Sequence, residues 1–229
     1  MRLLAIETST LTGGVAIIED ENLIAESRLN IKVTHSERIL KEIDDILSKS
    51  GLKIDDIDSF GISIGPGSFT GLRVGLSTVK GLAYATGKKI VSVSTLEALA
   101  LNVPFAKFQI CPILDARKKE VYAALFEWDD QELIKKVKEN AYKIEHILSF
   151  IDKKTIFLGE GALIYKENII QSIGSLAIFA HPQHMIPFPS NVAYLAIKKA
   201  KNGIFEDPIK LVPLYLRKSE AELKMSNLK

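Results

Sequence analysis

Three short apolar runs open the chain, residues 2–8, 15–18 and 23–29, separated by Ser9–Thr10 with Gly13-Gly14 and then by Glu19-Asp20-Glu21-Asn22. Each run predicts a strand, and the short connections predict an antiparallel meander. The spacing then becomes helical: Ile39, Leu40, Ile43, Ile46 and Leu47 form a stripe, with Thr34-x-x-Glu37 as a capping box before it and Gly51 as its stop. Phe60, Ile62 and Ile64 alternate with Ser59, Gly61 and Ser63, a half-buried strand over 57–64. Leu72, Leu76, Val79 and Ala83 share one face of a helix over about 70–86, closed by Gly87. A short strand at 90–93 follows, then a helix capped by Ser94 and running to Asn102. Residues 1–103 therefore read β-β-β-α-β-α-β-α, the pattern of a complete lobe.

The second half begins as the first did. Cys111–Arg117, a polar turn and Glu120–Glu127 echo Leu4–Ser9, its turn and Val15–Glu19, and an acid ends the first strand each time, Glu7 and Asp115. Beyond residue 128 the pattern is weaker. It predicts a helix over 143–151, a strand over 155–158, a turn at Gly159-Glu160-Gly161 and a helix over 162–173. A strand at 176–179, a proline-rich run over 182–189 and a helix capped by Ser190 complete it. The expected division is a first lobe at 1–103, a second at 104–217 and a tail at 218–229.

The stretch Gly65-Pro66-Gly67-Ser68-Phe69-Thr70-Gly71-Leu72-Arg73-Val74-Gly75 lies where a strand hands over to a helix. Free N–H groups at such a place bind anions, which makes it a phosphate-cradle candidate. A tight turn that needs glycine for its backbone alone is the competing reading. The P-loop is excluded because no Gly-Lys-Ser/Thr ends the turn, and the dinucleotide fingerprint fails on glycine spacing.

Composition narrows the class. With 229 residues, 47% apolar and 25% charged, the chain suits a globular protein of one large domain or two lobes. A net charge of +2 gives no support to a strongly basic nucleic-acid groove, though it leaves room for a local patch. The single cysteine, Cys111, rules out a disulfide within the chain and suits a reducing compartment. No run approaches the ~20 residues of a membrane span, and Leu3–Ile6 is too short for a signal-peptide core, so the expected location is cytoplasmic.

Glu7-Thr8-Ser9, Thr34-His35-Ser36-Glu37, Gly65–Arg73, Lys80–Ala83, Ser94–Ala100, Asp115-Ala116-Arg117 with Glu120-Val121-Tyr122, and Pro213–Arg217 together resemble the TsaB (YeaZ) family. The likeness runs from residue 1 to about 217 and is strongest before 125. It implies an α/β, actin-like or Hsp-type ATPase (ribonuclease H-like) fold with two lobes. It also implies a non-catalytic partner of TsaD, working with the ATPase TsaE in tRNA threonylcarbamoyladenosine formation, and a homodimer when TsaD is absent. Contact with tRNA is left as indirect or unknown. TsaD relatives carry two histidines at i and i+4 on the first helix to share a metal. Here His35 is followed at that position by Ile39, so no metal site and no catalytic residue is expected.

The resemblance places Glu7 and Asp115 like the two phosphate-loop acids of the fold, where carboxylates hold Mg²⁺ through water. With Gly65, Gly67 and Ser68 they form the candidate nucleotide contacts. No cofactor is required, and ATP or ADP near the partner interface is the one to consider. Gly71, Gly75 and Thr78 fall at i, i+4 and i+7, a small-residue strip, and an interior glycine costs about 1 kcal/mol relative to alanine. The strip faces either the helix at 35–50 or a partner's helix. The family implies the second, with Thr70, Arg73, Val74, His35 and Ile39 joining the contact. A small-molecule kinase of the same fold and a metallopeptidase are the alternatives.

Overall fold

The computed structural model describes residues 1–30 and 35–217, and the expected Thr34 cap and the 218–229 tail lie outside them. The first sheet is built from β1 (Arg2–Glu7), β2 (Gly13–Glu19), β3 (Asn22–Leu29), β4 (Ser59–Ser63) and β5 (Lys89–Val93). Its order is β3-β2-β1-β4-β5, with the meander antiparallel and β4 and β5 added in parallel. The helices α1 (His35–Lys49) and α2 (Phe69–Thr86) cover one face. Ile39, Ile43, Ile46, Leu76 and Val79 pack there against Leu4, Ile6, Val15, Phe60 and Ile62. Leu40, read as part of the buried stripe of α1, is instead 61% exposed, because it lies about 100° around the helix from Ile39.

The second sheet repeats the plan with β6 (Gln109–Arg117), β7 (Glu120–Asp129), β8 (Glu132–Lys143), β9 (Thr155–Leu158) and β10 (Ala177–Phe179), in the order β10-β9-β6-β7-β8. The expected actin-like α/β arrangement is present. Strand β8 has no counterpart in the periodicity of the sequence. It is an edge strand with most side chains at least partly exposed, rich in lysine as edges often are, and pairing with β7 holds it. On one face, α4 (Ile144–Leu148), α5 (Glu160–Ile164) and α6 (Lys166–Ile173) pack on Cys111, Ile113, Val121 and Phe157. The helix expected over 162–173 is thus two helices that meet at Tyr165.

The remaining two faces exchange helices. The first half supplies α3 (Thr95–Ala100), whose Leu96, Leu99 and Ala100 bury against Ile110, Leu114 and Phe126 of the second sheet. The second half supplies α7 (Pro189–Lys201), whose Val192, Ala193, Ala196 and Ile197 bury against Leu3, Ala5, Ala16, Val91 and Val93 of the first. Pro189 stands at the first helical position, where its missing N–H is harmless. Ser190, expected as the cap, lies inside the helix, and its N–H and hydroxyl donate to the Glu26 carboxylate of β3 at 3.0 and 2.9 Å. Ser94 does cap α3, accepting from the Glu97 N–H at 3.2 Å.

Residues 1–103 therefore form a complete sheet but an incomplete layer, and the 104–217 segment returns to finish it. Among the described residues no helix is long and apolar enough to cross a membrane. Uncovering Leu3, Ile18, Val91 and Val93 forfeits roughly 1.5–3 kcal/mol each, which together rivals the whole net stability of a domain. A 1–103 fragment should accordingly show no cooperative unfolding transition by circular dichroism, whereas the 1–217 chain should show one. A fragment that melts cooperatively would contradict the exchange.

Candidate functional site

The turn between β4 and α2 is clasped on three sides by its own chain. The Ser68 N–H donates to the Ser9 carbonyl at 2.6 Å, and its hydroxyl caps α2 by accepting from the Gly71 N–H at 3.3 Å. A Cβ on Gly67 would lie 2.3 Å from the Ser9 oxygen, so only glycine allows this approach. The Gly65 carbonyl accepts from the Thr95 N–H at 2.9 Å, at the start of α3. The donors that made the turn a phosphate-cradle candidate are therefore partly spent on the β1–β2 turn.

Glu7 points into the same closure. It is fully buried, and its carboxylate accepts from the Ser9 N–H at 2.6 Å and from the Ser9 hydroxyl. Burial pushes its carboxyl above the ordinary value of 4.5, against the hydrogen bonds that pull it down. A carboxylate sealed from solvent does not fit the role of holding Mg²⁺ through water. Asp115 is half-buried at the end of β6, where it accepts from the Arg117 N–H at 2.9 Å. Glu160 of α5 lies beside it, and its carboxyl is raised first by burial and then by the Asp115 charge. Among the described residues no group of three or more His, Cys, Asp or Glu is placed to hold a metal.

The helix stripe resolves differently from expectation. Gly71 and Gly75 are buried, and a Cβ on Gly75 would meet the Thr8 hydroxyl at 2.2 Å and Ile62 at 3.1 Å. Gly75 thus lets α2 press onto the end of β1 and serves neither α1 nor a partner's helix. Ile39 is 2% exposed in the core, so the position four after His35 faces the sheet. The side chain of His35 lies outside the description. Thr78 donates to the Val74 carbonyl one turn back at 2.9 Å.

What α1 and α2 leave outward is a groove of about 320 Å³ lined by Ser36, Ile39, Leu40, Arg73, Val74, Ser77 and Thr78. Thr70 and Arg73 are exposed at its start. Arg73, Ser77, Gly81 and Tyr84 continue at i, i+4, i+8 and i+11 along one face of α2, and Tyr84 is 94% exposed. Among the described residues nothing lies within 4 Å of where a Gly81 Cβ would stand, so no packing among them calls for a glycine there. The helical spacing of Arg73, Ser77 and Tyr84 is the signal in the sequence that marks this face.

A strap over residues 211–217 joins this helix to the second lobe. Leu211 is buried in the α1–α2 core, and the Leu214 N–H donates to the Ile64 carbonyl at 2.8 Å. The Tyr215 ring stacks on Phe69 with centroids 4.9 Å apart, and its hydroxyl accepts from Arg73 Nε at 2.9 Å. The Arg73 guanidinium also lies 3.8 Å over the Phe69 ring. Arg217 then reaches the second lobe, donating to the Ala116 and Arg117 carbonyls at 2.6 and 3.1 Å and pairing with Glu120 at 3.1 Å.

Other nucleophiles and ligands are accounted for. Burial pushes the Cys111 thiol far above its ordinary value, which leaves it unreactive. His146 packs edge-on to Tyr142, and His184 stacks near Phe188.

Comparison with known proteins gives a consistent result. The family model described as "TsaD: tRNA N6-adenosine threonylcarbamoyltransferase" matches residues 23–225. The chain is 32% identical to the tRNA threonylcarbamoyladenosine biosynthesis protein TsaB of Bacillus subtilis, over 98% of this chain and 97% of that protein. Its fold superimposes on YeaZ from Pseudomonas aeruginosa with a TM-score of 0.81 at 26% identity, covering 94% and 99% of the two chains. The ethanolamine utilization protein EutJ from Carboxydothermus hydrogenoformans shares the fold alone, at a TM-score of 0.51, 10% identity and 84% and 89% coverage.

Two outcomes follow from the closure around β1. Gly75→Ala should lower the melting temperature, since overpacking costs about 1–3 kcal/mol against about 1 kcal/mol gained in helix propensity. Thr8→Ala should restore it in the double variant, and additive losses would contradict the contact. Glu7 binds its proton more tightly folded than unfolded, so its contribution is present below about pH 4.5 and is lost as pH rises through the folded-state value. Glu7→Gln should melt above the parent by a margin that widens with pH over that window. A margin that shrinks with pH would reverse the sign assigned to Glu7.

Proposed function

Because the chain belongs to the TsaB (YeaZ) family of tRNA threonylcarbamoyladenosine biosynthesis proteins, we propose that it serves that pathway as a non-catalytic subunit docking onto TsaD through α1 and α2. TsaE acts on the resulting pair, and a second copy of the chain takes the same face when TsaD is absent. The observation that carries this reading is the outward face of α2. It presents Tyr84 almost fully exposed and a glycine at 81 with nothing among the described residues within 4 Å of its Cβ position, and Leu40 of α1 lies beside the groove. An exposed interior glycine costs about 1 kcal/mol of helix stability, and the close approach of a partner backbone accounts for keeping it.

Geometry also favours a role without chemistry. The first helix places Ile39, not a second ligand, four residues after His35. Glu7 is sealed from solvent, and the Ser68 N–H is held by Ser9. A phosphotransferase of this fold would need that acid and that turn open to a nucleotide. The reading therefore requires no cofactor bound by this chain, and it places the protein in the cytoplasm with its tRNA substrate.

The test is reconstitution with TsaD, TsaE, threonylcarbamoyl-adenylate and unmodified tRNA. Parent chain should support transfer and co-elute with TsaD. Gly81→Leu should melt no lower than the parent, because leucine is the better helix former, yet fail to co-elute and fail to support transfer. Transfer that proceeds undiminished when the chain is omitted would reject the proposal.

A further inference from the structure

The hairpin between β6 and β7 holds a run of left-handed residues that are not glycine. Arg117 pairs with Glu120, which leaves a two-residue turn at Lys118-Lys119. Both have positive φ, 53° and 62°, as a type I′ turn requires, and Arg117 before them is also positive at 61°. Such positions favour asparagine, aspartate and glycine, whereas long side chains are disfavoured there. Elsewhere Asp20 and Asp130 take the positive-φ places in the β2–β3 and β7–β8 turns, and Phe105 takes a single one at 54°. Among the described residues only here are three consecutive non-glycine residues held left-handed, and all three are cationic.

At a solvent-facing tip the left-handed conformation gains no packing from these side chains, so what they bring there is charge. Lys118 and Lys119 are exposed, and among the described residues neither has an ion-pair partner. The base of the turn is braced instead. Arg217 binds the Ala116 and Arg117 carbonyls, with its own charge matched by Glu120, and Asp115 accepts from the Arg117 N–H. The result is a rigid projection carrying two unmatched positive charges on a chain whose net charge is only +2.

We infer that the Lys118-Lys119 tip contacts the phosphodiester backbone of RNA, the substrate class of the function proposed above, on which this inference rests. Lysine ammonium groups on a fixed turn suit phosphate oxygens, supplying affinity without base recognition. Arg217 is a positioning residue for the turn, and the strap ties that turn to the start of α2.

Lys118→Asn with Lys119→Gly puts the residues that the turn prefers at its tip. The melting temperature should rise by about 2–4 °C. Affinity for an unmodified tRNA transcript, measured on the complex with TsaD, should fall about tenfold. The slope of log affinity against log salt should shrink by roughly 0.7–0.9 per lysine removed. Lys118→Gln with Lys119→Gln should lose the same affinity with no gain in stability. Stability raised with tRNA affinity and salt slope unchanged would overturn the inference. So would a loss confined to ATP binding, which would assign the turn to free nucleotide phosphate. Both variants should still co-elute with TsaD, so a complex that fails to form with the parent chain tells against the proposed function and not against the turn. In that case the tRNA comparison is made on the full chain alone, where equal affinity of parent and variants again overturns the inference.

Discussion

The structure depends on two helices that each bury their apolar face against the sheet of the other half. Helix α3 leaves the first half to cover Ile110, Leu114 and Phe126, and α7 comes back to cover Leu3, Val91 and Val93. Neither sheet is dry on both faces without the other segment. The contact between the halves is consequently core, not surface, and polar groups finish it. Asn102 donates to the His184 and Ile186 carbonyls at 2.8 and 2.7 Å, and Asn191 donates to Asn102 at 2.8 Å. Ser94, which caps α3, also donates to Glu139 of the edge strand β8 at 2.8 Å.

Within that frame the end of β1 is a point of convergence. Ser9 meets Gly67 and Ser68, Thr8 meets Gly75, and Glu7 is folded beneath them without access to water. A strand end and a glycine-rich turn at this place in an α/β fold ordinarily leave an opening for a ligand. Here the protein's own carbonyls and hydroxyls occupy it. The glycines are needed for contact between elements of one chain, and the helix they aim presents its opposite side to the outside.

Much of this was legible in the residues. The first half shows its elements through clear period-two and helical spacing, and the caps at Ser94 and Gly87 fall where the side chains and backbone permit. Strand β8 was not legible, because an edge strand with polar side chains on both faces lacks apolar alternation. Ser190 lies inside α7 and not at its cap because a proline at the preceding position already starts the helix, and the partner of its N–H, Glu26, is 164 positions away. For the site, the position of α1 and α2 was readable and the orientation of their residues was not. Gly75 and Gly81 look alike in the sequence. Only the location of Thr8 shows that the first is filled from within and the second faces outward. The strain at Lys118-Lys119 was likewise invisible, since lysine pairs carry no turn signal.

The strap at 211–217 fixes how the molecule can move. It is anchored to β4's end through Leu214, to α2 through Tyr215 and to the second hairpin through Arg217, all within four residues. A clam-like opening of the two lobes would have to break these anchors together, along with the swapped helices behind them. The hairpin tip and the start of α2 are thereby tied to one another through a single short segment, with its anchors at 214, 215 and 217.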